Sequence, residues 1–400
     1  MGATGENAQI SFCIQDAETP KLVPENPVFT VIPFDLEAGD SLKSALKTKE
    51  STVPKPDGGV GDPSVIGLDV TGGIPIPFSP LFSGPEDPLI KAGMYAAEWN
   101  KIHSANKKLD LSGATYNQST GALDLSGMAT TPDQIKNKQK VKITGTTSTD
   151  GIFTLTGPDD GSSFVLNPKP ALAESIAAGT ICGEMIRNGK TETPVVFQAH
   201  QDDIDLRDYF IGCKPNSVDY SFEVESEMKY TYNIQGMGGE LKTNNEQYSG
   251  ESLVTPTQYK VFTTATDAGT ISINGVGQVA GCLVQSVSWS MTRELTERKG
   301  VFVLGACGLD PGKAGLTGTI SIGFEDSQFY EWLRDSTPFS LDLAIPGDEG
   351  LSYAFCIPRA LLTDNDAPRK TGSIIQTANF TGSYNDDYKC RFQVDRFDER

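Results

Sequence analysis

The sequence predicts an all-β chain in which one β domain is duplicated and a small β domain is inserted into the first copy. Three observations support this prediction: many turn-forming residues, segments that alternate apolar and polar residues, and a motif that occurs twice. The 400 residues include 41 glycines and 24 prolines, above the usual combined share of about 12%, which favours turns over long helices. The content of hydrophobic (38%) and charged (21%) residues is that of a globular protein with two or three domains.

The repeated motif has the frame T-G-x-I-x-I-x-F and occurs at residues 71–78 and again at residues 317–324. Its alternation at period two predicts a β-strand in both places. The first copy should lie at the edge of a sheet, because Pro75 and Pro77 cannot donate hydrogen bonds to a neighbouring strand.

Each copy of the motif precedes a segment with helical spacing of apolar residues, at residues 87–99 and at residues 326–334. In the first helix Asp87 is the expected N-cap. After each helix come an apolar strand and then a pair of similar segments, residues 209–215 and 353–358, which both begin with tyrosine. The same order of elements twice indicates a duplicated domain with one short helix per repeat. The alternative is that two unrelated β domains share short alternating motifs by chance.

The middle of the first half changes in composition. Serine, threonine, glycine and aspartate become more frequent over residues 107–185, and short strands such as 141–143 and 151–155 are separated by Gly/Asp turns. This pattern predicts a small inserted β domain. The expected organisation is an N-terminal arm (1–26), a discontinuous first repeat (27–106 and 186–245), the insertion (107–185) and a second repeat (246–400).

The chain is acidic. Its 33 lysines and arginines against 52 aspartates and glutamates give a formal net charge of −19 at pH 7. Tight binding to nucleic acid is therefore not expected, because it requires a basic surface to neutralise phosphates. Two interpretations of the acidic balance stay open: it keeps the protein soluble, or it forms a surface that repels DNA.

The sequence also bears on location. It has no run of about 18 apolar residues, so we expect no membrane span, and its first seven residues lack the basic and apolar regions of a secretory signal. The seven cysteines are scattered and never follow C-x-x-C spacing. They predict free, mostly buried thiols in a protein made in a reducing cytosol.

A search for catalytic motifs gives negative expectations. His103 and His200, the two histidines, lie at no metal-ligand spacing from a cysteine or from each other, and the G-x-S-x-G and H-E-x-x-H motifs are absent. Residues 275–280 match G-x-G-x-x-A but continue into a strand-like alternation, so a hairpin turn is favoured over a dinucleotide site. Adjacent aspartates occur three times, but neighbours on a strand face opposite sides. We expect no enzyme, no cofactor and no metal.

Two further patterns are the F-x-x-x-P…G-D-S-L spacing within residues 29–42 and the D-Y-F-x-G-C-K-x-N-S element at residues 208–217. With them the chain resembles the tail tube proteins of bacteriophages with long, non-contractile tails. Residues 317–324 and 350–359 resemble the same family in the second half, and residues 150–155 are similar to the small decorating β domains that some of these proteins carry.

The resemblance implies a β-sandwich or barrel with a flanking helix, in a structural virion protein that forms rings stacked into a hollow tube. Genomic DNA would pass through the lumen without specific binding. With two repeats per chain, three chains rather than six would complete a pseudo-sixfold ring. The implied partners are copies of the chain itself, the tape measure protein and the tail terminator and distal tail proteins. The implied locations are the virion tail and, during assembly, the host cytoplasm.

A long loop is expected over residues 39–64, where glycine, proline and mixed charges occur without a sustained period. Loops of this length are usually functional or disordered. We expect it to become ordered against the next ring, and its candidate contact residues are Leu42, Leu46, Lys47, Val53 and Val60.

The alternative from another functional class is a β-rich binding or adhesion protein that uses the inserted domain to recognise a surface ligand. Exposed aromatic residues on that domain would favour it, and the aromatic residues that the segment offers are Tyr116, Phe153 and Phe164.

Overall fold

A computed structural model of the chain describes residues 8–35, 37–49, 62–79, 86–146, 150–171, 175–243, 246–256, 261–264, 269–278, 284–323, 328–346, 351–366 and 375–399. They form two β-sheets and two short helices, as the sequence predicts for an all-β chain.

The elements of the first half, apart from those of the smaller sheet, are β1 (Ala8–Ile14), β2 (Val28–Ile32), β3 (Lys43–Lys49), β4 (Ser64–Pro77), α1 (Glu86–Gly93), β5 (Asn100–Lys101), β13 (Glu184–Arg187), β14 (Val195–Gln201), β15 (Leu206–Glu223), β16 (Lys229–Gly236), β17 (Gly238–Lys242) and β18 (Ser252–Val254). The smaller sheet contains β6 (Lys108–Asp110), β7 (Thr115–Asn117), β8 (Ala122–Asp124), β9 (Lys140–Thr144), β10 (Gly151–Thr156), β11 (Ser163–Asn167) and β12 (Thr180–Cys182). The second half contains β19 (Thr270–Ile273), β20 (Val276–Gln278), β21 (Val284–Arg298), β22 (Gly308–Gly323), α2 (Gln328–Asp335), β23 (Phe339–Pro346), β24 (Leu351–Asp366), β25 (Ile375–Gly382) and β26 (Gln393–Asp398).

The two halves share one strand order. In the first half neighbouring strands pair in the order β2-β1-β14-β15-β16-β4-β3. In the second half the order is β20-β19-β23-β24-β25-β22-β21. The helix follows the same strand in each, α1 after β4 and α2 after β22. The structure confirms the duplication predicted from the repeated motif.

One detail of the predicted repeat is wrong. The sequence matched the segments that begin at Tyr209 and Tyr353, but the ladders match Tyr209 with Cys356. The β16 residue that pairs with Thr71, the first residue of the motif, lies opposite Lys214 of β15. In the second copy of the motif, the β25 residue that pairs with Thr317 lies opposite Leu361 of β24. Lys214 therefore corresponds to Leu361, and Tyr209 to Cys356. The predicted and the observed alignments differ by three residues. Alternation of apolar residues does not by itself fix how two strands align, so the β-bulges rather than the tyrosines set this register.

The first predicted helix is shorter than expected. It spans Glu86–Gly93 rather than residues 87–99, because Tyr95 adopts a positive φ of 51° and ends the helical path. Asp87 lies inside the first turn instead of capping it, and its carboxylate accepts a hydrogen bond from Arg396. The second helix lies within one residue of its predicted end.

The long loop predicted over residues 39–64 is in part a β-hairpin. Residues Lys43–Lys49 form β3, which pairs antiparallel with residues 64–71 of β4. Beyond Thr71, β4 pairs with β16 alone among the described strands, in agreement with the edge position expected from its prolines. Residues 50–61 lie outside the described part.

Each sheet has its own core. The main core runs through both halves of the large sheet and centres on aromatic rings such as Phe78, Tyr220 and Phe355, whose centroids lie within 6 Å of their neighbours. The small sheet, in the order β6-β12-β9-β10-β11-β8-β7, encloses a second core that includes Leu123, Val141 and Leu155. Burial of these side chains is the main source of stability for both sheets.

Candidate assembly surface

The structure describes three of the five predicted contact residues. Leu42 is half-buried and packs against the main core, whereas Leu46 on β3 exposes 57% of its surface. Lys47 forms an ion pair with Asp69 of β4, with Nζ and Oδ2 2.5 Å apart. Val53 and Val60 lie outside the described residues. The neighbouring strand adds two exposed apolar side chains that the sequence did not single out, Val65 and Ile66.

The hairpin of β21 and β22 carries a larger apolar tip, which the sequence analysis missed. Val301, Phe302, Val303 and Leu304 are all exposed, and Phe302 is fully exposed. A run of four apolar residues usually predicts a buried strand. The glycines on both sides of this run, at positions 300 and 305, were the signal that could have identified it as a turn.

The base of this tip is fixed against the first half. Gly305 has a φ of 83°, and a Cβ there would lie 2.4 Å from the carbonyl oxygen of Met237, so only glycine fits. The amide of Ala306 donates to that same carbonyl at 3.2 Å, and Met237, Ala306 and Leu309 form a small buried cluster. Phe302 at the exposed end also has a positive φ, 66°, a costly conformation for an aromatic residue that points to a functional reason.

Ion pairs join the two hairpins. Lys299 near the tip lies 2.7 Å from Glu297 and 4.0 Å from Asp69, the residue that also pairs with Lys47 of β3. The hydrogen bond from Lys299 lowers the pKa of the Glu297 carboxyl, which also accepts from Gln235 at 2.8 Å. Exposed apolar residues therefore occur on two hairpins that these ion pairs connect, and we call this set the hairpin surface: Leu46, Val65, Ile66 and Val301 to Leu304. Grouped exposed apolar side chains are typical of association sites.

A second group of polar residues joins the small sheet to the large one. Lys140 of β9 forms an ion pair with Asp342 of β23 at 2.8 Å, and its backbone amide donates to Asp395 of β26 at 3.0 Å. Asp395 also accepts from the Gln393 side chain at 2.8 Å. Burial raises the pKa of Asp395 to about 7. These polar groups are paired with one another, so the arrangement is that of a structural joint.

The described residues show no group of three histidine, cysteine, aspartate or glutamate side chains placed to hold a metal ion. The six cysteines in the described part are free thiols; Cys307 is exposed and the other five are buried, as predicted for most of the set. Cys282 lies outside the described residues. Over the ranges that the structure covers, neither helix has the length and apolar character needed to cross a membrane.

The fold defines a class: a duplicated all-β protein with exposed apolar hairpins. Within it, the chain belongs to the phage tail tube protein family, whose model matches residues 5–382. No curated protein matches the chain. Family membership gives the chain a structural role in the virion tail, where copies assemble into a tube.

Proposed function

We propose that the chain polymerises as stacked rings of three copies and forms the tube of a long, non-contractile tail through which genomic DNA is ejected. The observation that carries the proposal is the duplication: one chain supplies two copies of a domain in the same strand order, so three chains supply six. Head-to-tail contacts between rings that are not closed by symmetry extend into a tube.

The hairpin surface is the proposed contact between rings. It groups exposed apolar residues on two hairpins held together by ion pairs. Leu46 belongs to it and Lys47 is the next residue of β3, whereas Leu42 would act through its packing against the main core. Val53 and Val60, which lie outside the described residues, stay candidate contacts. Contacts with the tape measure protein and with the tail terminator and distal tail proteins would use the ends of the same tube.

The acidic balance suits a channel for DNA. A lumen biased towards aspartate and glutamate repels phosphate, so DNA would pass without specific binding. The inserted domain, residues 107–185, would lie on the tube exterior, with the first repeat formed by 27–106 and 186–245, the second by 246–400 and an arm by 1–26. That arm includes β1, which pairs with β2 and β14 and so belongs to the sheet of the first repeat. Assembly would take place in the host cytoplasm, with no enzymatic step.

An adhesion function for the inserted domain has less support. Such a function needs exposed aromatic residues to stack on a ligand, but Tyr116, Phe153 and Phe164 are all buried in the core of the small sheet. Because they are buried, these three rings serve to pack the core of the small sheet.

The test is negative-stain electron microscopy with mass photometry across a concentration series of the purified protein. We expect hollow tubes, or rings with the mass of three chains. Phe302→Asp should prevent stacking and leave the rings intact, because a charge would then face the apolar surface of the next ring. Val165→Asp is the matched control, since Val165 is an exposed apolar residue of the small sheet, and it should assemble normally. A monomer at every concentration would contradict the proposal.

A further inference from the structure

Strand β15 has different partners along the two halves of one edge. Its first half, residues 206–213, pairs with β14. Its second half, residues 217–223, pairs with β21, which comes from the other repeat. This internal joint is tight: Ser290 of β21 donates to the carboxylate of Asp219 directly opposite, and the rings of Trp289 and Tyr220 stack with centroids 5.5 Å apart.

Strand β24 is the counterpart of β15 in the second repeat. Its first half pairs with β23 up to Ala360, as β15 pairs with β14. Along the same edge, the second half, residues 361–366, pairs with no strand among the described residues; its other edge pairs with β25. In the described part of the second repeat, no strand lies at the position that β21 holds in the first repeat.

The strand that fits this position can be identified from the repeat. Strand β3 is the counterpart of β21, because each is the outer strand of the hairpin that contains the repeated motif. Lys43 lies opposite Thr71 and Ser290 lies opposite Thr317, the first residues of the two copies of the motif, so Lys43 corresponds to Ser290. On the edge away from β4, β3 pairs with no strand in the described part of the chain.

We propose that β3 of a second copy of the chain adds to residues 361–366 of β24, antiparallel, in the register that β21 adopts on β15. Lys43 of the second copy would then lie opposite Asp366, and its Ala45 opposite Asp364, because Asp366 corresponds to Asp219 and Asp364 to Ser217.

Charge complementarity supports this occupant. Strand β3 carries three lysines, at positions 43, 47 and 49, and the open segment of β24 carries two aspartates. In the proposed register the pair that meets directly across the two strands is Lys43 with Asp366, and opposite charges at such positions stabilise strand pairing. The contact is heterologous, so each chain both donates β3 and accepts one, and three chains close the ring. The inference rests on the proposed ring and names the interface that would close it.

Cysteine cross-linking tests the register. In a Cys307→Ser background, which removes the one exposed thiol among the described cysteines, Ala45→Cys and Asp364→Cys are made as separate proteins. They are mixed under assembly conditions and treated with a one-carbon bis-thiosulfonate linker. The mixture should give a covalent dimer that neither variant gives alone. A chain that carries both substitutions should give a covalent three-chain species. Lys43→Cys with Asp366→Cys is a second pair on the same face and should behave alike.

The off-register control is Ser44→Cys with Asp364→Cys, whose side chains would face opposite sides of the sheet, and it should give at least tenfold less cross-linked product. Rings or tubes that form from correctly folded variants without either in-register cross-link would overturn this interface and leave the tube function standing. Absence of any assembly by the unmodified protein would overturn the tube function and this inference together. Circular dichroism confirms that each variant is folded.

Discussion

Lys140 of the small sheet and Asp342 of the large sheet form an ion pair 2.8 Å long in which both side chains are largely shielded from water. The same lysine contributes its backbone amide to Asp395. Removal of one member of a buried pair leaves the other charge without compensation, which is far more costly than loss of an exposed pair.

Lys140→Met should therefore lower the free energy of unfolding by about 3 kcal/mol. The matched control is Lys136→Met, since Lys136 forms an ion pair of the same length with Asp160 at a more exposed position, and its loss should cost less than about 1 kcal/mol. Urea denaturation of both variants measures the difference. Equal losses would show that burial does not strengthen the joint.

Gly305 should be needed at the base of the apolar tip. Gly305→Ala places a Cβ 2.4 Å from a backbone oxygen and also takes on a positive φ. Gly275→Ala is the control, because Gly275 has a φ of 74° but nothing within 4 Å of a Cβ. This variant should lose only about 1 kcal/mol of unfolding free energy, the cost of a left-handed backbone conformation for alanine. We expect Gly305→Ala to cost at least about 1 kcal/mol more by denaturation. Indistinguishable losses would mean that the tip shifts freely at its base.

The sequence predicted the parts of the fold that have one buried face. Alternation at period two marks the repeated motif because Ile74 and Ile320 are fully buried. Strand β3 was predicted as a loop because six of its seven residues are exposed, and a strand exposed on both faces shows no alternation. Four of the seven residues of the hairpin surface were missed for the opposite reason: Val301 to Leu304 are apolar, yet exposed.

The sequence alone also could not predict the strand register that relates the two repeats. The bulges that precede Ser217 and Asp364 set which residues of the two repeats correspond. Pro215 marks the first bulge, but the second lies in Leu362-Thr363-Asp364 and has no such marker. The edge of β24 that no described strand pairs with follows from these pairings, so the sequence alone could not identify the strands that we propose to meet there.

Asp395 should make stability fall as pH rises. Its pKa is about 7 in the folded protein because of burial, and 3.8 is its ordinary value, so the folded state binds the extra proton between these pH values. The free energy of unfolding then decreases by about 1 kcal/mol per pH unit across this window. The charged groups that face Asp395 are Lys140 and Arg187.

Asp395→Asn should remove this contribution. The quantity to compare is the change in unfolding free energy between pH 5 and pH 8 for each protein, because His200 has a lowered pKa and acts in the opposite direction. Asp387→Asn, at an exposed position, is the control and should keep the slope of the unmodified protein. An unchanged slope in Asp395→Asn would show that this carboxyl is ionised throughout.

Removal of the small sheet should leave tube assembly intact if that sheet lies on the exterior. Residues 102–183 can be replaced by a short glycine turn, because Lys101 lies directly opposite Glu184 in the pairing of β5 with β13. Ile102 leaves with its own core. The remaining protein loses the apolar cover of Phe397 and should be less stable. Its Asp395, no longer desolvated by β9, should lose the pH dependence described above.

Electron microscopy of the shortened protein then separates two positions for the small sheet. Tubes with an unchanged lumen and ring spacing but a smaller outer diameter are expected, because only the outer layer is gone. A wider lumen would place the small sheet inside the tube. A folded protein that forms no tubes would show that the small sheet makes subunit contacts, which an exterior decoration does not.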